Sequence, residues 1–250
     1  MKYETYIQQA YWETYKQELT SVWYRLVYLN VSLLILKEIA KFPFRLFTTY
    51  PPLFWRTVNI ALLEKCVLII WNTSVDECSE GFTIKQLKNK VFSKYLHPHY
   101  KSELAARFKK HGFESRLEEF VPKIRDIRHN FVAHYNYEEN WNRPTNLATD
   151  TTSLQELSAC ATILNDYLNE LALGDSYSVF PIEYTPGITL DDAEIPLDIT
   201  KLLDSVARES SILNLPESNP VQWKYQKQAL TAEDIEIINE YRHKFGLCSA

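Results

Sequence analysis

Arg128, His129 and His134 are the residues of this chain whose types and spacing could carry catalysis. They lie in the stretch Ile127-Arg128-His129-Asn130-Phe131-Val132-Ala133-His134-Tyr135-Asn136. Cutting RNA without a metal needs a group that takes the proton of the ribose 2′-OH or protonates the leaving 5′-oxygen. Imidazole titrates in the right range for either task. It also needs a cation on the phosphate oxygens as their charge grows, and the planar guanidinium fork suits two oxygens at once. A polar neighbour, His129 or Asn130, can orient the arginine or the substrate. On an ideal helix, however, Arg128 and His134 point about 120° apart and lie ~9 Å apart along the axis. One helix face cannot present both to one phosphate. A long arginine reach, a frayed last turn or a second copy of the chain would close the gap, and two copies would line one cleft with two motifs. The spacing alone is common in helices, and a histidine near a helix C-terminus also has a plain role opposite the dipole.

The charge distribution points to the same region. The net charge of −5 conceals a neutral first third, with 8 basic and 8 acidic residues in 1–84. Residues 85–136 carry 12 basic against 5 acidic residues, and residues 137–250 carry 7 against 19. A segment of +7 inside an acidic protein is the footprint of a polyanion site, or else a solvated lysine-rich helix face. Arg125, Lys109 and Lys110, with Asn130, are the residues expected to touch RNA beside the catalytic three. Arg107, Lys85, Lys88 and Lys94 could track the same backbone. The complementary charge of the C-terminal segment predicts that it folds back over the basic one and restrains access.

These residues need helices to position them. With 5 Gly and 11 Pro in 250 residues and 46% hydrophobic composition, the chain reads as all-α, an antiparallel bundle of about five or six helices. Tyr3 to Lys41 reads as one long helix or two, its Val22, Leu26, Leu29 and Leu33 at helical spacing. Phe42 to Pro52 is a turn region, and Leu53 to Thr73 is an apolar central helix. Thr83 caps a basic helix to about Tyr95, and Lys101 to His111 forms another, closed by Gly112. Glu114 to about His134 reads as the motif helix, with Pro122 kinking it or starting it. A helix from Thr152 or Ser153 to Leu173 completes the bundle. We assign 1–174 to this helical domain and 175–250 to an acidic extension. The extension is expected to hold a short hairpin or an extended wrap within Ser176 to Ile199 and one or two helices, with a loop at Pro216 and Pro220. Thr231-Ala-Glu-Asp opens its last helix as a capping box.

Other features narrow the class. Met1 to Gln17 lacks the apolar core of a secretory signal, and the apolar run Leu26 to Leu36 falls short of the ~20 residues that cross a bilayer. A cytoplasmic protein without a membrane contact is expected. The four cysteines are scattered with no metal-ligand spacing, and no cofactor motif is present. His97, His99 and His111 with Glu103 or Glu114 are better read as surface histidines than as a metal site, because Pro98 stiffens the turn between the first two. The N-terminal aromatics, Tyr3 to Tyr28, are better read as packing than as base-stacking platforms.

The segment Arg128-His129 with His134, ending Val-Ala-His, resembles the HEPN (higher eukaryotes and prokaryotes nucleotide-binding) superfamily. Its members share a helical bundle and an Arg-x(4–6)-His signature, with Asn, Asp or His after the arginine. The apolar helix Ile60-Ala-Leu-Leu-Glu-Lys-Cys-Val-Leu-Ile-Ile-Trp, then Asp76, then Phe82-Thr-Ile-Lys-Gln-Leu, is similar in order to the abortive-infection U-type branch. The likeness covers residues 5–175. It implies a metal-independent endoribonuclease, a toxin or phage-defence effector, working as a homodimer with facing motifs and with an antitoxin or defence-system protein as partner. Arg128 would hold the phosphate, His134 would act as acid and base, and His129 would position them. Asn136 stands where branches neutralised by tyrosine adenylylation carry a tyrosine, so that control is not implied. Two readings compete with the nuclease. One is a non-catalytic module that binds RNA, a nucleotide or a protein, and the other is a regulator whose acidic tail mimics nucleic acid.

Overall fold

The computed structural model describes residues 3–48, 53–75, 82–127, 151–174 and 194–247. Every regular element among them is helical, as composition and periodicity require, and an isolated bridge pairs Ile7 with Leu96.

The aromatic N-terminus folds as two single 3₁₀ turns followed by one unbroken helix, α1 (Trp12–Lys41). Short α2 (Phe44–Phe47) follows within the expected turn, and α3 (Leu53–Ser74) runs back along α1. Together with its preceding turn, α1 (Gln9–Lys41) is long and apolar enough to cross a membrane by length and composition, contrary to the shorter span expected from Leu26 to Leu36. Its Tyr15, Leu19, Val22, Leu26, Leu29 and Leu33 are instead buried in the bundle core. Hydrophobic burial of such a stripe, about 1.5–3 kcal/mol for each large side chain, is what holds a helix of this length in place.

The described residues of the basic segment form four short helices. Thr83 caps α4 (Ile84–Lys90) in a full capping box with Gln86, and a π turn carries the chain on through Val91–Tyr95. A 3₁₀ turn at Pro98–Tyr100 leads into α5 (Lys101–His111). Gly112, at φ +58° in the left-handed region that favours glycine, ends α5 and turns the chain into α6 (Phe113–Glu118). The expected motif helix is therefore divided. A turn at Glu119 and Phe120 separates α6 from α7 (Val121–Ile127), which begins beside Pro122 because proline suits a first helical turn. Helix α8 (Thr151–Leu171) then packs on α1, α3, α4 and α6.

Between α1 and α8, Asn30 and Asn165 exchange a reciprocal pair of side-chain hydrogen bonds at 3.1 and 3.0 Å. Asn30 Nδ2 also donates to the Leu26 carbonyl at 2.6 Å. A half-buried amide pair fixes register because a slip leaves both amides unpaired. Asn165→Leu alone should cost about 1–3 kcal/mol, and adding Asn30→Leu should recover part of that loss. Urea unfolding of the two single variants and the double variant checks this; strict additivity would mean that the pair is not coupled.

The extension is more helical than expected. Four helices, α9 (Glu194–Arg208), α10 (Ser211–Ser218), α11 (Pro220–Ala229) and α12 (Ala232–Lys244), occupy its described residues. The expected loop at Pro216 and Pro220 is replaced by α10 and α11. Pro216 sits in the last turn of α10, while Pro220 takes the first position of α11, where Asn219 Oδ1 accepts from Gln222 N at 3.1 Å. The capping box at Thr231 and Asp234 opens α12 as read from sequence. The expected hairpin falls largely outside the described residues, and 194–199 are helical. These helices build a second apolar cluster with the far end of α1, with α2 and with the start of α3, through Ile39, Phe47, Trp55, Leu203, Trp223 and Ile238.

Candidate nucleic-acid interface

The catalytic residues expected from sequence, Arg128, His129 and His134, lie outside the described residues, as does Asn130. What is described is the helix that leads into them. Ile127 ends α7, and α7 docks on α3 and α6 with Ile124 buried in the main core. Arg125 is exposed in its last turn. Lys109 and Lys110 are exposed in the last turn of α5, where cations are also favoured by the helix dipole.

Sequence charge overstates the open positive field. Carboxylates from other helices occupy several of the cations, with Lys90 on Glu18 at 2.6 Å, Arg107 on Glu170 at 2.6 Å and Lys123 on Glu156. Lys85, Lys94, Lys101, Lys109, Lys110, Arg116 and Arg125 carry no ion pair among the described residues. Among the described residues the acidic extension does not supply those partners. Its Asp204, Glu217 and Asp234 pair instead with Lys244, Arg242 and Arg45. Among the described residues it packs on the opposite end of α1, not over the basic helices, so the expected cover is not seen there.

Where α4, α5, α6 and α8 meet, the structure forms a cleft of about 440 Å³ that sequence reading did not find. Phe92, Ala105, Phe108 and Phe113 make its apolar wall. Lys88, Glu114 and Tyr167 supply the polar groups, and Lys109 and Ser115 stand exposed at its edge. Lys88 Nζ donates to Glu114 Oε1 at 2.6 Å, and the buried Tyr167 hydroxyl donates to the same oxygen at 3.0 Å. Behind them His111, Phe113 and Tyr167 stack in a column, with ring centroids 5.0 and 4.9 Å apart. Burial raises the cost of ionising Glu114, but Lys88, Tyr167 and Lys85 together outweigh it and hold the carboxyl below its usual range. Burial first, and then the neighbouring carboxylate, push the Tyr167 hydroxyl well above the usual phenol range, which keeps it a donor. No periodicity could reveal this group, because its contacts span 26 and 53 residues of sequence.

A lowered carboxyl contributes stability above the unfolded carboxylate pKa and loses it as pH falls through the folded value. Glu114→Gln should therefore be less stable than wild type at neutral pH. The gap should close on acidification below about pH 4, the unfolded range for glutamate. Urea unfolding across that range checks this, and a gap independent of pH would assign the loss to packing.

The remaining candidates are structural. His97 and His99 lie 5.6 Å apart by ring centroid in the turn before α5, and His111 Nε2 is 4.0 Å from Glu170. No cluster of three or more metal-ligating side chains occurs among the described residues. Tyr6 and Tyr15 are buried and Tyr11, Trp12 and Trp23 pack against the core, leaving Tyr24 and Tyr28 exposed. Cys66 and Cys160 are buried thiols pushed up to about 12 by desolvation, which makes them inert packing residues. Compared with protein-family models, with curated proteins and with solved structures, the chain returns no match.

Proposed function

We propose that the protein is a metal-independent endoribonuclease of the HEPN type, cutting RNA by attack of the ribose 2′-OH on the adjacent phosphodiester. The observation that carries this reading is the Arg128/His129/His134 signature, which follows directly on a helix docked on α3 and α6, within the most basic stretch of the sequence. Arg128 neutralises the phosphate, His134 moves the proton, and His129 orients the pair; Arg125, Asn130, Lys109 and Lys110 hold the strand. A homodimer with facing motifs would resolve the divergence that an ideal helix imposes on Arg128 and His134. In this reading the protein is a cytoplasmic toxin or phage-defence effector, restrained by an antitoxin or defence-system partner.

The reaction predicts its own ends. Cleavage of single-stranded RNA in excess EDTA should leave a 2′,3′-cyclic phosphate, or its hydrolysed form, on one fragment and a 5′-hydroxyl on the other. Cleavage that needs added divalent metal, or that leaves 5′-phosphates, would rule the mechanism out.

A second reading has its own support. The aromatic cleft with lysines at its edge needs no catalytic motif to bind RNA or a nucleotide. A non-catalytic binding module would show salt-dependent RNA affinity and no cleavage with or without metal.

A further inference from the structure

The cleft between α4, α5, α6 and α8 is mainly apolar with a few charged groups, and its open valences define a ligand. Its volume of about 440 Å³ lies in the range of small-molecule sites. Phe92, half-buried and edge-on to Phe108 with centroids 5.6 Å apart, offers an aromatic surface to a flat ring. Glu114 Oε1 is occupied by Lys88 and Tyr167, whereas no donor reaches Oε2 among the described residues. An acceptor is thus left for an N–H edge. Lys109, exposed and without an ion pair among the described residues, stands at the edge to receive an anion. A simple anion would meet the Glu114 carboxylate, and a purely apolar ligand would leave that carboxylate oxygen dry and unpaired. A base joined to a phosphate satisfies all three surfaces.

We propose that this cleft holds one unstacked nucleotide, its base beside Phe92 with an N–H edge on Glu114 Oε2 and its phosphate at Lys109. The nucleotide is either free or part of a strand. The strand version rests on the ribonuclease reading, and makes the cleft a subsite that grips RNA away from the scissile bond. Helices α6 and α7 separate the cleft from the start of the signature by at most about 30 Å of chain, within reach of a few nucleotides.

The test uses the full chain and two variants at exposed positions, Ala105→Trp, which fills the cleft, and Lys109→Glu, which reverses the charge at its edge. Circular dichroism and thermal unfolding should match wild type for both. Calorimetric titration with guanosine monophosphate should show binding at least tenfold tighter than with ribose phosphate, and each variant should weaken it about tenfold or more. In the His134→Ala background, a short fluorescein-labelled single-stranded RNA should bind about tenfold more weakly once Ala105→Trp is added. Loss of only the strand effect assigns the cleft to a free nucleotide, and loss of only the mononucleotide effect assigns it to the strand. If Ala105→Trp and Lys109→Glu bind both probes as wild type does, or if ribose phosphate matches guanosine monophosphate and Ala105→Trp leaves strand binding unchanged, the cleft is not a nucleotide site. Absence of cleavage with these binding effects intact would remove the nuclease and leave the cleft.

Discussion

In excess EDTA, His134→Ala should cleave single-stranded RNA at least ~10²-fold more slowly than wild type, because positioned acid–base catalysis contributes about 10²–10⁴. Arg128→Ala should fall by a similar factor, since losing one stabiliser of a developing oxyanion costs about 10²–10³. Arg128→Lys should lie between, keeping the charge but losing the two-pronged geometry. The double variant should be little worse than either single, as groups acting on one transition state are not additive. The offset of about 120° that an ideal helix would impose gives a sharper expectation. If the two side chains on one phosphate come from different copies, Arg128→Ala and His134→Ala chains each fail alone but complement when mixed. At equal amounts with free exchange, about half the dimers are mixed and each has one complete site, so about a quarter of wild-type activity returns. No recovery on mixing, with size-exclusion data showing exchanged dimers, would place both groups on one chain. Equal cleavage by wild type and His134→Ala would remove the imidazole from the mechanism.

Local signals in this sequence were legible because local physics decides them. Thr83 with Gln86 and Thr231 with Asp234 form the capping boxes that their spacing announces, and Gly112 ends α5 where a left-handed residue is needed. The stripe Val22, Leu26, Leu29 and Leu33 is buried as its 3.6-residue period requires. Proline in the extension was read less well, whereas Pro122 takes one of the two roles expected of it. At Pro122 and Pro220 it starts helices, and at Pro216 it sits in the last turn of one, where only one hydrogen bond is lost and the packing of Leu213 and Leu215 outweighs it. The charge run was legible as composition but not as field. Glu18 of α1 and Glu156 and Glu170 of α8 lie far away in sequence, yet they occupy Lys90, Lys123 and Arg107. The cleft was invisible for the same reason. Its carboxylate belongs to α6, its lysine to α4 and its phenol to α8, and only tertiary packing brings them together.

The largest stability effect expected lies in the extension, at Arg242. Its side chain is fully buried, an unusual place for a guanidinium, and it ties α12 to Leu213 and Glu217 of α10. Nη1 donates to the Leu213 carbonyl, and Nη2 donates to Glu217 Oε1 at 2.8 Å. Arg242→Ala would take one hydrogen bond from the Leu213 carbonyl, leave a cavity where the buried side chain packs, and remove the cation from its carboxylate. Together these should cost about 3–5 kcal/mol. For a chain of this size that is roughly 6–20 °C in Tm, at about 2–4 °C per kcal/mol. Glu217→Gln should be milder, about 1–2 kcal/mol, because the amide oxygen still accepts and this side chain is 53% exposed. The two apolar clusters also separate the effect in space. Arg242 serves the cluster of α2, α9, α10, α11 and α12, whereas α8 belongs to the other. Hydrogen exchange in Arg242→Ala should therefore accelerate first in α10 and α12, with Leu164 and Leu168 of α8 still protected. A loss below about 1 kcal/mol would mean that the buried guanidinium is spectator, not tie. Uniform acceleration across α8 and α12 would mean that the two clusters unfold as one.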